Sequence, residues 1–170
     1  QRQMCIRDSA VTGANETPME TIAASQPDYL YILVGTNNLV VQGSEDSFIA
    51  YYERLIDMLR EQLNPGVTIY IQSIPGVQED VVASKPGLDN TRIATVNDLL
   101  ANMALRKGCY YINIREALTN PADGSQIDDY ATKDGVHFNA AGYHAWAEYL
   151  ATHTVWTVSY THLTLPTTSR

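Results

Sequence analysis

The sequence predicts an α/β domain in which helices cover both faces of a parallel sheet. Three observations point to this fold: short apolar runs typical of buried strands, amphipathic segments between them, and a regular alternation of the two. The 170 residues are enough for one domain with a sizeable core. In such sheets the ligand site lies beyond the carboxyl ends of the strands, so functional residues are expected in the loops there.

Three strands, a short helix before them and one loop are predicted from local composition and capping residues. A capping box with proline at the first helical position predicts a short helix over 17–25. The run DYLYILVG, 28–35, then predicts a buried parallel strand that ends in glycine. VTIYIQSI, 67–74, and CYYINI, 109–114, predict two more strands because both are rich in β-branched or aromatic residues. Proline and glycine at both ends predict a loop over 75–90.

Three longer helices are predicted from apolar residues at three- and four-residue spacing. Segment 44–66 repeats them at Phe48, Tyr51, Tyr52, Leu55, Leu59 and Leu63. Segment 91–108 is predicted to end at Gly108, and its inward-facing residues are Ile93, Val96, Leu99, Leu100, Met103 and Leu105. Asn139 is the predicted N-cap of a last helix, 140–152, with Tyr143, Trp146, Ala147 and Leu150 on one face.

Charge and hydropathy exclude two classes of partner. The formal net charge of −8 argues against nucleic acid, because binding to phosphates requires a surplus of lysine and arginine. Mean hydropathy is −0.20, and the longest apolar runs are too short to span a membrane. The sequence predicts neither oligomeric state nor cellular location.

The two ends differ in character from the interior. Residues 1–9, QRQMCIRDS, and 158–170, VSYTHLTLPTTSR, resemble translated sequencing-adapter read-through, a contaminant of metagenomic assemblies. The alternative is a natural frayed tail at each end. On the first interpretation both are non-native, and the domain occupies 10–157. Cys5 is then not part of the domain, and Cys109, the one remaining cysteine, cannot form an internal disulfide.

Three polar side chains are candidates for chemistry. Asn37 follows the first predicted strand in GTNN and could donate to a developing oxyanion, or could form a local Asx-turn. Asp134 precedes His137 by three residues, a spacing that suits a carboxylate orienting an imidazole base, although this spacing alone favours a surface loop in which Asp134 caps a turn and His137 is exposed. No companion cluster at ligand spacing favours a metal site.

Three stretches in this order resemble the SGNH (GDSL-like) esterase and acylhydrolase family: PDYLYILVGTNNL, TIYIQSIPGV and YATKDGVHFNAAGYHAWAEYL. The resemblance covers roughly residues 10–152. It implies a flavodoxin-like, three-layer α/β/α fold, with His137 as general base, Asp134 as its orienting partner and Asn37 as an oxyanion-hole donor. Gly13, in VTGANE, would donate its backbone N–H to the oxyanion, or is an ordinary turn glycine.

The sequence departs from the family at the Gly-Asp-Ser block, which carries the nucleophile at the end of the first strand. RDS at 7–9 is similar to this block. However, the nucleophile and the oxyanion glycine follow two different parallel strands, which need a crossover of about a dozen residues between them, and Ser9 and Gly13 are only four positions apart. We therefore expect a fragment that is truncated at its N-terminus, lacks the first strand and has no serine nucleophile in the chain.

The resemblance implies a serine-dependent ester hydrolase that needs no cofactor. The expected substrate is a small-molecule or carbohydrate ester, and the compact loops, without a long lid, favour a short acyl group such as a carbohydrate O-acetyl. This chain itself is expected to be inactive and poorly stable. The alternative is a non-catalytic carbohydrate- or protein-binding domain on the same fold. Asn37, Asp134 and His137 together favour an enzyme, since a binding module does not need all three.

Overall fold

A computed structural model describes residues 17–40 and 43–155, which form a parallel sheet with helices on both faces. The strands are β1 (Tyr29–Ile32), β2 (Thr68–Gln72) and β3 (Tyr110–Ile112), in the spatial order β1-β2-β3. Both pairings are parallel, as the strand–helix alternation predicts. The Ser9 region, Gly13 and the residues after 155 lie outside the described part of the chain.

Four of the described helices occupy the predicted segments 17–25, 44–66, 91–108 and 140–152, and three shorter ones were not predicted. In chain order the described helices are α1 (Pro18–Ser25), α2 (Thr36–Val40), α3 (Glu45–Gln62), α4 (Glu79–Ser84), α5 (Asn90–Arg106), α6 (Arg115–Leu118) and α7 (Ala140–His153). Single 3-10 turns occupy Pro86–Leu88 and Asp128–Tyr130. None of the described helices has the length and apolar character needed to cross a bilayer.

Local capping explains where several helices begin and end. Thr17 and Glu20 form the predicted capping box of α1, and the Asn139 side chain accepts a hydrogen bond from the Gly142 N–H at the start of α7. Gly108, at a φ of 59°, ends α5 in the left-handed conformation that glycine adopts most readily.

The sheet separates two clusters of buried side chains. One face packs against α3 and α5 through residues that include Ile32, Ile69 and Ile71. The other face packs against α7 through residues that include Tyr70 and Ile112. Alternate residues of β2 therefore face opposite layers, as expected for a strand covered on both sides.

A ladder of stacked tyrosines crosses the α7 face of the sheet. Tyr31, Tyr70 and Tyr110 are in register on the three strands, with ring centroids 4.8 and 5.2 Å apart. The Tyr31 hydroxyl donates to Thr154 Oγ1 at 2.8 Å, and that of Tyr70 donates to the Val155 carbonyl at 2.6 Å. These bonds attach the end of α7 to the middle of the sheet.

Several details of the sequence prediction were wrong. Tyr51 is 62% exposed and Leu105 is 79% exposed, because the buried stripes of their helices are narrower than the apolar pattern. The segment 75–90, predicted as a loop, contains α4 and a 3-10 turn. The short helices α2 and α6 went unpredicted because neither is long enough to show a helical period.

Two asparagines on α5 bind the chain that follows β2. The buried side chain of Asn97 accepts from the Ile74 N–H at 2.7 Å and donates to the Ile74 carbonyl at 2.8 Å. Asn90 makes the same pair of bonds with Val77, at 3.0 and 2.9 Å. The two asparagines are two helical turns apart on one face of α5, so together they fix segment 74–77 at the carboxyl edge of the sheet.

We expect Asn97→Ala to lower the free energy of unfolding by about 2–4 kcal/mol, because it leaves a buried N–H and a buried carbonyl of Ile74 without partners. Urea denaturation measures the loss. Asn102→Ala is the matched control, since Asn102 is exposed on the same helix. Equal losses in the two variants would show that the Ile74 bonds contribute nothing.

Candidate active site

The carboxyl ends of the parallel strands bring three chain segments to one edge of the sheet. Asn37 follows β1, and segment 74–78 follows β2. The turn that carries Asp134 and His137 packs on this second segment, because the Gln78 N–H donates to the Gly135 carbonyl at 2.9 Å. These residues therefore lie beyond the carboxyl ends of neighbouring strands, where the sequence analysis expects functional residues.

Asp134 and His137 are in direct contact. Nδ1 of His137 lies 2.5 Å from Asp134 Oδ2. Both side chains are open to solvent, with 72% of the His137 side chain and 50% of the Asp134 side chain exposed. With Nδ1 bound to the carboxylate, Nε2 is the ring nitrogen left to accept a proton from another group.

The second oxygen of Asp134 is bound by its own turn. Oδ1 accepts from the His137 N–H at 2.9 Å, the Val136 N–H at 3.0 Å and the Thr132 hydroxyl at 2.8 Å. These donors and the imidazole hold the pKa of Asp134 well below its usual range, with the His137 N–H contributing most. The carboxylate therefore remains ionised at neutral pH despite its closeness to a potential base.

Gly135 allows the turn to close. Its φ is 66°, and a Cβ at this position would lie 2.5 Å from Cγ2 of Val81 on α4. The Gly135 N–H donates to the Thr132 carbonyl at 3.0 Å, and the Thr132 N–H donates to the His137 carbonyl at 2.9 Å. Glycine is thus required here both for backbone conformation and for space.

Gln126 joins the His137 turn to the segment after β2. It is 1% exposed, its Nε2 donates to the His137 carbonyl at 3.3 Å, and its backbone N–H donates to the Val77 carbonyl at 3.3 Å. Through Val77 the same network reaches Asn90 on α5. The orientation of the turn therefore depends on α5 as well as on the local sequence.

Asn37 is the second residue of α2 and is exposed. The chain can turn from β1 into α2 because of Gly35, whose φ is 136° and whose Cβ would lie 2.5 Å from Cδ1 of Ile74. The Asn38 and Leu39 N–H groups both donate to the Gly35 carbonyl at 2.9 Å. Within residues 17–40 and 43–155 the Asn37 side chain makes no hydrogen bond, so the bond of an Asx-turn is not seen there.

Arg92 on α5 fixes the far end of α2. Its guanidinium donates to the carbonyls of Leu39, Gly87 and Gly43, each at 2.9 Å, and to Glu45 Oε1 at 2.7 Å. Only 20% of the Arg92 side chain is exposed, so this arginine is largely enclosed by the groups it binds. It thereby holds in place the helix that presents Asn37.

The four predicted site residues have different outcomes. Asp134 and His137 are brought together, and Asn37 lies at the same sheet edge on a neighbouring strand's loop. Gly13 lies outside the described residues. Within 17–40 and 43–155 no serine hydroxyl hydrogen-bonds to the His137 ring, and no group of three histidine, cysteine or acidic side chains is arranged to hold a metal.

Thr132, Gln126, Asn90 and Arg92 were not predicted to contribute. Thr132 carries a sequence signal, a hydroxyl two residues before the candidate aspartate. The other three bind backbone atoms that only the folded chain brings close. A surface hollow of about 390 Å³ opens beside this region, lined by Glu79, Val82, Asp89, Asn90, Thr91 and Asp123 rather than by Asp134 or His137.

Comparison with known families gives an extended match. The profile of the GDSL-like Lipase/Acylhydrolase family matches residues 7–145. No curated protein sequence matches the chain.

Solved structures show the same fold at low sequence identity. A GDSL-like lipase from Bacteroides thetaiotaomicron superimposes with a TM-score of 0.64 at 17% identity, covering 78% of this chain and 64% of that one. A carbohydrate acetylesterase family member from Sinorhizobium meliloti gives 0.60 at 21%, covering 79% and 63%. A peptidoglycan O-acetylesterase gives 0.62 at 22%, covering 79% and 39%. The chain therefore spans less than two thirds of the length of these structures.

We expect Gly135→Ala to lower the free energy of unfolding by about 1–3 kcal/mol, because alanine is strained at positive φ and its Cβ would collide with Val81. Urea denaturation measures this change. Gly66→Ala is the control, since a Cβ there meets nothing within 4 Å. A Gly135→Ala variant as stable as Gly66→Ala would contradict the described turn.

The low pKa of Asp134 predicts a pH-dependent contribution to stability. A carboxyl whose pKa is depressed in the folded state stabilises the fold above its unfolded pKa of about 3.9, and this contribution is lost as pH falls toward the folded value. The stability difference between the wild type and Asp134→Asn should therefore shrink as pH falls below about 4. Urea denaturation across this range measures it. A difference that stays unchanged down to pH 2 would refute the assignment.

Proposed function

Because the chain belongs to the GDSL-like lipase/acylhydrolase family, we propose that it carries the base and the oxyanion donors of a serine esterase. The observation that supports this most directly is the Asp134–His137 contact, which occupies Nδ1 and leaves Nε2 as the basic nitrogen. The exposure of the His137 ring allows a hydroxyl and an ester to reach Nε2.

In the proposed reaction His137 Nε2 takes the proton of a serine hydroxyl as the oxygen attacks the ester carbonyl. The negative charge on the carbonyl oxygen is stabilised by the Asn37 side-chain amide and the Gly13 N–H. The imidazolium then gives its proton to the departing alcohol. Water hydrolyses the acyl-serine by the same route, with His137 again acting as base.

Asp134 stabilises the charged imidazole without taking its proton. Its low pKa means that it remains a carboxylate while His137 is protonated. Three donors on Oδ1 hold the carboxylate in place, so Oδ2 need not reorient during the reaction. No cofactor has a role in this scheme.

The serine that this scheme requires is not seen beside His137, since no serine hydroxyl within 17–40 and 43–155 hydrogen-bonds to the ring. Ser73 is the buried serine of the described part, and its hydroxyl accepts from the Arg115 N–H at 3.3 Å. Because the sequence lacks the family's Gly-Asp-Ser block, we propose that residues 1–170 alone do not catalyse ester hydrolysis.

A short acyl group on a carbohydrate is the proposed substrate. Two of the structurally similar proteins are a peptidoglycan O-acetylesterase and a carbohydrate acetylesterase family member, which supports this class by analogy of fold. The described loops at the sheet edge are short and bound to one another, which leaves little cover for a long lipid chain.

The test uses the protein encoded by the complete source reading frame and an activated acetyl ester. We expect His137→Ala to lower kcat/KM by about 10²–10⁴-fold, the usual contribution of a general base. His144→Ala is the matched control, since the His144 side chain is 74% exposed on α7 and pairs only with Glu148 among the described residues. The 170-residue chain should show no His137-dependent hydrolysis.

Two results would overturn the proposal. Equal activity of His137→Ala and His144→Ala would remove His137 from the reaction. A complete reading frame without a serine after its first strand, together with no hydrolysis, would favour a carbohydrate- or protein-binding domain on the same fold.

A further inference from the structure

The two oxygens of the Asp134 carboxylate have different partners. Oδ2 faces the His137 ring, and Oδ1 accepts three hydrogen bonds. Two of these come from backbone N–H groups, which any residue at 136 and 137 other than proline would supply. The third comes from the Thr132 hydroxyl. Among the described residues, Thr132 and His137 are the side chains that bind this carboxylate.

The Thr132 hydroxyl has one proton and two acceptors within reach. Asp134 Oδ1 lies at 2.8 Å and the His137 carbonyl at 3.1 Å. The carbonyl already accepts from the Thr132 N–H and from Gln126 Nε2, whereas a carboxylate is the stronger acceptor. The proton therefore goes to Asp134.

Thr132 is itself held in place by the turn. Its N–H donates to the His137 carbonyl, and its carbonyl accepts from the Gly135 N–H at 3.0 Å. The hydroxyl thus approaches Oδ1 from a fixed backbone position. Twisting of the carboxylate plane away from this orientation would weaken this bond together with the two backbone bonds.

We propose that Thr132 is a positioning residue that holds the plane of the Asp134 carboxylate so that one oxygen stays directed at His137, and thereby keeps the proton of the neutral imidazole on Nδ1. Its catalytic meaning rests on the proposed function above, because only the Nδ1–H tautomer leaves Nε2 free to accept a proton from serine. The hydrogen bonding itself can be tested without catalysis.

The experiment compares Thr132→Val, which removes the hydroxyl at nearly constant shape, with Thr132→Ser, which retains it. Nitrogen NMR of the ¹⁵N-labelled 170-residue chain reports the tautomer of each histidine at about pH 8.5, well above the ordinary histidine pKa of about 6.5. The His137 signals are assigned from their absence in His137→Asn. Thr95→Val is the control, since the Thr95 hydroxyl donates only to the Thr91 carbonyl on α5 among the described groups.

We expect the Nδ1–H to Nε2–H ratio of His137 to fall by about threefold or more in Thr132→Val, the factor that one ordinary hydrogen bond can supply. Thr132→Ser and Thr95→Val should retain the wild-type ratio. The Asp134 carboxyl, followed by carbon NMR, should also titrate at higher pH in Thr132→Val, because a donor to its charged form is lost. Lys133, Asp80 and Asp128 are charged groups near the turn and are the same in all variants.

An unchanged tautomer ratio in a folded Thr132→Val variant would overturn the proposal, and so would an equal change in Thr132→Ser. If Thr132→Val does not fold, Thr132→Ala removes the same hydroxyl with less bulk and is judged by the same criteria. Neither substrate nor nucleophile enters the measurement. A failure here therefore leaves the esterase proposal intact, and an inactive enzyme leaves this one intact.

Discussion

The candidate site depends on the hydrogen bonds between two α5 asparagines and the chain after β2. Asn97 binds both polar backbone groups of Ile74, and Asn90 binds both of Val77. These residues have left the sheet, so their N–H and carbonyl groups no longer have strand partners. The amides replace those partners and hold the segment in one conformation. Everything that packs on it, including the Gly135 turn, then takes its position from α5.

The Asp134–His137 pair is built differently, from bonds within a single turn. Asp134 receives donors from Thr132, Val136 and His137, all within three residues of it. Its contact with His137 therefore needs little from the rest of the fold, whereas the direction in which the pair faces needs Gln126 and the segment after β2. Local bonds determine the internal geometry of the pair, and long-range bonds determine its placement. This division means that a substitution in α5 can displace the pair without separating its two members.

The same distinction explains what could be predicted from the sequence. The strand segments, the limits of α1 and α7 and the Asp134–His137 contact all depend on residues a few positions apart, so spacing and capping patterns are sufficient. The roles of Asn90 and Asn97 could not be predicted, because their partners lie 13 and 23 residues away. The exposure of Tyr51 and Leu105 also escaped prediction, since the width of a buried stripe depends on the helix's neighbours. Thr132 lies between these cases, because it is close to Asp134 in sequence but its role follows only from the orientation of the carboxylate in the folded turn.

The direction of α7 along the sheet has a practical consequence for linking this domain to a tether, a dye or a surface. The helix begins beside the His137 turn and ends where Thr154 and Val155 bind the tyrosine ladder in the middle of the sheet. Its 14 residues, at 1.5 Å each, carry the chain about 20 Å from the candidate site. A tether, dye or surface linked beyond Val155 would thus pull on the hydroxyls of Tyr31 and Tyr70 before it pulled on His137. Immobilisation from that side would leave the approach to the imidazole open.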